Sequence, residues 1–157
     1  MTTINSGRRT ALKSGGSLAV IAAAISAGVL PASAFADWNK AAFDAKNLND
    51  VLKAMGGSTA EKSGDIVITA PDIAENGAVV PVAVSSKIPG TQSISILVEK
   101  NPSSLAAEFD ILPGTEPNVG TRVKMGQSSN IHAVVKAGGK YYVATKEVKV
   151  TLGGCGG

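Results

Sequence analysis

The chain is short of the residues from which most chemistry is built. Of its 157 residues one is cysteine, Cys155, so no internal disulfide can form and no Cys-x-x-Cys pair exists to resolve a mixed disulfide. One is histidine, His132, set between Ile131 and Ala133. A lone histidine does not make a zinc site, and it reads as structural or surface. Glu108, Asp110 and Glu116 lie near a Pro-Gly loop without the paired spacing of an acid/base site. Asp72 and Glu75, beside Pro71, read as loop solubilisers. Gly56-Gly57 is not followed by Lys-Ser or Lys-Thr, which excludes a phosphate loop. The sequence therefore predicts no catalytic residue, no metal set and no cofactor-binding motif. A long apolar run is missing too. Residues 18–30 are apolar but rich in Ala and Gly, short of the ~20 residues a membrane span needs.

What is present begins with an export signal. Arg8-Arg9 stand ahead of that apolar stretch, Pro31 ends it, and Ala34-Phe35-Ala36 puts small residues where a signal peptidase reads them. Paired arginines before a weakly hydrophobic core point to the twin-arginine route into the periplasm. Residues 1–36 are thus expected to be a cleaved signal, with Ala32-Ser33-Ala34 as a second cleavage site. The formal charge of +3 belongs to this segment, which holds Arg8, Arg9, Lys13 and no acid. Twelve basic residues then face twelve acidic ones, with no Lys/Arg cluster interleaved with aromatics. Nucleic acid loses its support as a partner, and the mature form has no expected membrane span.

The remaining 121 residues suffice for one domain with a modest core. Residues 38–55 carry a helical stripe of Ala41, Ala42, Ala45, Leu48, Val51, Leu52 and Met55. Asn39 or Asp37 can cap it, and Gly56-Gly57 stops it. Asn47 and Asn49 weaken the middle, so two shorter helices are an alternative to one. Trp38 and Phe43 are candidates to anchor the segment on a sheet. Beyond Gly57 the period becomes two, in runs at 65–69, 78–85, 93–99, 106–112, 121–125, 130–136 and 140–150. Pro81 marks its strand as an edge or a bulge. Ala137-Gly138-Gly139 predicts a hairpin. Tyr141 and Tyr142 must face opposite sides, one to pack and one free to meet a partner. The expected fold is mainly β: an immunoglobulin-like antiparallel β-sandwich of about seven strands, with an N-terminal helical segment (37–57), a β body (58–152) and a flexible C-terminal arm (153–157).

The arm is Gly153-Gly154-Cys155-Gly156-Gly157. A structural cysteine is normally buried, because its thiol behaves as a small hydrophobe. Here glycine stands on either side, with no side chain to pack and the largest backbone entropy to lose. The arm starts directly after the last strand, so Cys155 is three residues, about 10 Å, from Leu152. Thin and short, it has the shape of a device that carries a covalently held group into another protein's active site. The other readings are a frayed end and a staple that links exported β-domains as disulfide oligomers through Cys155, the same reaction that yields a Cys155-linked dimer.

Cys155 in its pentapeptide, the lead-in Lys146-Glu147-Val148-Lys149-Val150-Thr151, the loop Met125-Gly126-Gln127-Ser128-Ser129-Asn130 and the twin-arginine leader together resemble the SoxY family, the sulfur-carrying subunit of the periplasmic thiosulfate-oxidising (Sox) system. The resemblance covers residues 37–157. It implies a carrier that is not itself an enzyme and has no intrinsic cofactor. Sulfur intermediates, thiosulfonate and then persulfide, would be held covalently on Cys155, with Gly153, Gly154, Gly156 and Gly157 giving flexibility and access. It also implies partners: a SoxZ-like subunit, a c-type cytochrome complex of the SoxXA type, a SoxB-like dimanganese hydrolase, and in some systems a sulfane dehydrogenase.

Overall fold

The computed structural model describes residues 38–151. The expected signal and the arm with Cys155 lie outside the described residues. The described elements belong to a unit that begins at Asn39. Two short helices open it, α1 (Lys40–Asp44) and α2 (Leu48–Ala54). The helical window is therefore broken, and Asn47 breaks it. Its backbone is extended, with φ −149°, and its side-chain oxygen accepts from Asp50 N at 2.9 Å. Asn47 thus starts a second helix instead of continuing the first. Asn39 caps α1, accepting from Ala42 N at 3.1 Å, and donates its amide to Ala54 O at 2.8 Å, which ties the start of α1 to the end of α2. Gly56 ends α2 with φ +84°, a conformation that favours glycine.

Nine strands follow among the described residues: β1 (Glu61–Lys62), β2 (Ile66–Thr69), β3 (Ile73–Ala74), β4 (Val80–Ser86), β5 (Thr91–Val98), β6 (Leu105–Asp110), β7 (Asn118–Val123), β8 (Ser129–Ala137) and β9 (Lys140–Val150). The larger sheet runs β1-β9-β8-β5-β6, with β3 also on β9; the smaller runs β2-β4-β7. All seven predicted strands are present. The two extra ones, β1 and β3, correct the antiparallel expectation, since both pair parallel to β9. At two residues each they are too short to leave an alternating pattern. The result is a mixed α/β fold dominated by two sheets, with a short helical region at its N-terminal side.

Pro81 shows how a proline fits. β4 is the middle strand of its sheet, not an edge. Yet β2 reaches only from Ser86 to Ala83 along it, whereas Pro81 pairs with Arg122 of β7 alone. At Pro81 the strand has one neighbour, so the missing N–H costs no ladder bond.

The larger sheet is covered on both faces. Ile94, Ile96, Val98, Ile131, Ala133, Val135 and Val148 meet Ile66, Val80, Val82, Val84 and Val123 of the smaller sheet in one core. On the other face Leu97, Leu105, Val134, Tyr141 and Val143 pack under Ala42, Val51 and Leu52 of the helices. Each fully buried aliphatic side chain is worth about 1.5–3 kcal/mol, so both cores matter for so small a body. Phe43 packs against the second core, while Trp38 is exposed. Tyr141 and Tyr142 do face opposite ways: Tyr141 is buried in the second core, and half-buried Tyr142 packs against the first. Tyr141 also donates its hydroxyl to Met55 O at 2.6 Å, fixing the end of α2 on β9.

Candidate functional site

β9 leads to the cysteine arm, so the last described residues of β9 set where the arm begins. They are gripped from both edges. On one edge β3 pairs Ile73 with Lys149 and Ala74 with Val150. Lys149 N donates to Asp72 O at 2.9 Å, and Thr151 N to Ala74 O at 3.1 Å. On the other edge Val150 N donates to Ser128 Oγ at 2.9 Å, and Ser129 pairs with Val148. Gly77 closes the collar. Its carbonyl accepts from Met125 N at 2.7 Å. A Cβ at Gly77 would collide with Met125 O and lie 2.8 Å from Val150 Cγ1, so only glycine lets the chain pass there. Val148 is buried and Lys149 exposed, in the alternation the sequence predicts.

Sequence reasoning missed two members of this collar. Gly77 sits in an ordinary-looking Asn-Gly turn, and nothing local reveals that its neighbours are Met125 and Val150. Ser128 lies in the loop 125–130, whose pattern gave no hint of a contact with the end of β9. Asp72 does more than solubilise a loop. Its exposed carboxylate pairs with Lys146 Nζ at 2.7 Å, and that bond holds the carboxyl below the usual aspartate range.

The other candidates stay apart. His132 Nδ1 lies 2.9 Å from Thr145 Oγ1, and Nε2 lies 3.7 Å from Glu99 Oε2. Burial pushes its pKa down, and the Glu99 carboxylate only partly offsets this. The histidine is half-buried between Thr145 and Glu99. Glu108 and Asp110 line a hollow of ≈310 Å³ with Lys136, Ser93 and Tyr141. Burial first, then the charge of Asp110, raises the Glu108 carboxyl, against the pull of Lys136. Among the described residues no group of three His, Cys, Asp or Glu side chains is placed to hold a metal ion. No described helix is long and apolar enough to cross a membrane. Cys155, Gly153, Gly154, Gly156 and Gly157 lie outside the described residues, so the geometry fixes the root of their arm and not their own positions.

Comparison with known proteins adds what this geometry cannot. The family model described as sulfur oxidation protein SoxY matches residues 51–155. That span runs from α2 through the whole β body to Cys155. No curated protein matches the chain. Among solved structures, the sulfur carrier protein SoxY from Chlorobium limicola f thiosulfatophilum is 48% identical, with a TM-score of 0.62, covering 68% of this chain and 97% of that one. A superoxide reductase (neelaredoxin) from Ignicoccus hospitalis is 22% identical, with a TM-score of 0.50, over 55% of this chain and 80% of that one, a likeness of fold alone. A family match across most of the chain and a close structural relative agree: the chain belongs to the SoxY family of sulfur oxidation proteins.

Proposed function

We propose that Cys155 is the covalent attachment site for sulfur intermediates during thiosulfate oxidation. As a SoxY family member the chain is a sulfur carrier with a cysteine-bearing tail, and its role is not catalytic. The observation that carries the assignment is the family match itself, which ends on the chain's one cysteine. The gripped end of β9 supports it, because a carrier needs its arm to start from a fixed point.

The chemistry follows from the thiol. A free cysteine has a pKa of about 8.5, so only a few per cent is thiolate near pH 7. The arm supplies no base or cation, so the partner's active site activates the sulfur. In the loading step the Cys155 sulfur and the terminal sulfur of thiosulfate form an S–S bond. The thiol proton is released and two electrons pass to the oxidising partner, a c-type cytochrome complex of the SoxXA type. The product is a cysteine S-thiosulfonate. Water then cleaves its S–SO3 bond on a SoxB-like dimanganese hydrolase, releasing sulfate and a proton and leaving a persulfide on Cys155. A sulfane dehydrogenase oxidises that sulfur further where one is present. Gly153, Gly154, Gly156 and Gly157 keep the arm narrow enough to enter these sites. The chain works in the Sox system, and a SoxZ-like subunit is its proposed structural partner. Export by the twin-arginine route, with cleavage after Ala36, would place it in the periplasm, where SoxY family proteins act. We read the two sheets as the layers of an immunoglobulin-like sandwich, since one core draws side chains from both.

The test is radiolabelled thiosulfate supplied with the coupling enzyme. Wild-type protein takes up reductant-labile label, and Cys155→Ser takes up none while keeping its thermal midpoint. Label on Cys155→Ser would refute the assignment.

A further inference from the structure

The surface around the arm root is apolar where a free-standing body has no need of it. Ile73 is 58% exposed and Val79 is 50% exposed. Beside them lies a hollow of ≈570 Å³ whose walls include Ala70, Pro71, Pro81 and Ala83, with exposed Arg122 as the one charged residue. These residues belong to the arm root by connectivity. Ile73 pairs with Lys149, Pro71 adjoins the Asp72 carbonyl that holds Lys149 N, and Val79 is two residues from Gly77, which touches Val150. All therefore lie within about 15 Å of Thr151.

Chain length now sets a limit. Cys155 is four Cα steps beyond Thr151, so its Cα reaches at most about 14 Å from that point. On the reading that Cys155 is delivered into an enclosed active site, the arm must enter a channel. Whatever length the arm spends inside the channel is lost outside it. The mouth of the channel must therefore come down onto the residues around Thr151. Lys146 is paired with Asp72, whereas exposed Arg122 lines the groove, so a cation there can steer the approach without burying area. Apolar burial is what remains to hold the two bodies together.

We propose that Ile73, Val79 and the groove between Pro71 and Pro81 form the docking surface for the enzyme that takes up Cys155, and that they meet an apolar rim at the mouth of its active-site channel. This rests on the reading of Cys155 as the attachment site. Ile73 and Val79 supply the anchoring side chains. The groove takes a projection from the rim.

The experiment uses the mature protein, purified with its native partner subunits, thiosulfate and the purified cytochrome coupling complex. Loading is followed as the gain of about 112 Da, the mass of a thiosulfate adduct. Ile73→Asp and Val79→Asp are each expected to raise KM for the carrier about tenfold, the loss typical of an anchoring residue. Their alkylation by iodoacetamide should stay at the wild-type rate. Leu112→Asp is the control. Leu112 is 69% exposed and lies just beyond β6, whose Asp110 pairs with Ser93, itself paired with Lys136 on its other side, at the other end of the larger sheet. It should load as wild type does. Wild-type KM for Ile73→Asp and Val79→Asp, or an equal loss in Leu112→Asp, would overturn the docking surface. So would loss of the co-purifying subunits in Ile73→Asp or Val79→Asp, which would make this face a subunit interface. Loading that persists in Cys155→Ser would instead refute the attachment site. The two failures are distinct.

Discussion

At its first residue β9 is joined to its neighbour by the shortest possible route, and at its last it is held by segments remote in sequence. Lys140 pairs with Ala137 across Gly138 and Gly139, whose φ values of 56° and 77° make the tight two-residue turn. Val150 instead depends on Ala74 on one side and Ser128 on the other. Glycine serves both ends differently. At the hairpin it supplies a backbone conformation. At the arm root Gly77 supplies the absence of a side chain, so that Met125 and Val150 can close in. A local turn would have been enough to end the strand. The long-range grip fixes where the following six residues start.

Substitution can break this contrast. The largest effect on the body is expected from Gly77→Val, which forces a branched side chain against the Met125 carbonyl and Val150. It should cost about 3 kcal/mol in urea unfolding and free the amides of Val150 and Thr151 to exchange. Unchanged stability would mean that the collar yields. Gly57→Ala tests the hairpin end. Its new Cβ would stand 2.6 Å from the Tyr141 ring, whose hydroxyl is already bonded to Met55 O, so the expected loss is about 2 kcal/mol. Amide exchange should then rise around α2 and not at Val150. Ser128→Ala is milder. It removes the acceptor for Val150 N, at about 1 kcal/mol, with the Val150 amide the first to exchange faster. An effect spread evenly along β9 would contradict a local grip.

The smallest effect is that of pH, and it lies between the two ends, where His132 meets Thr145. Burial lowers the histidine pKa in the folded protein, so the unfolded chain, at about 6.5, protonates first. Stability is full above pH 6.5 and falls as pH drops below it, until the folded form takes up the proton as well. His132→Gln should flatten the thermal midpoint in that window. A midpoint that rises there as pH falls would reverse the sign and place His132 in a site that favours its charged form.

Much of this was legible in the residues because it is local. Alternation at 140–150 gave β9 to the residue, and Gly138-Gly139 gave its hairpin. Asn39 was one of two cap candidates, with Asp37, because capping needs only the next three residues. What stayed hidden depends on long-range pairing. β1 and β3 are two residues each, and their partners lie 81 and 76 positions away, from Glu61 to Tyr142 and from Ile73 to Lys149. Pro81 was read as the mark of an edge or bulged strand, which β4 is not; only the length of β2 shows how a proline can sit in a middle strand. The cysteine arm was legible for a different reason. A lone thiol flanked by glycines is unlike a core residue, so it stood out in the sequence, and the family match runs to it, while the collar at the end of β9 left no such signal.

The most direct measurement is the intact mass of the mature protein, purified without reductant from cells oxidising thiosulfate, before and after dithiothreitol. A sulfur carrier shows additions of about 32 and 112 Da, a sulfur atom and a thiosulfate adduct, that map to Cys155 and vanish on reduction. Only free thiol, together with a doubled mass that dithiothreitol halves, would contradict it and make Cys155 a covalent link between chains.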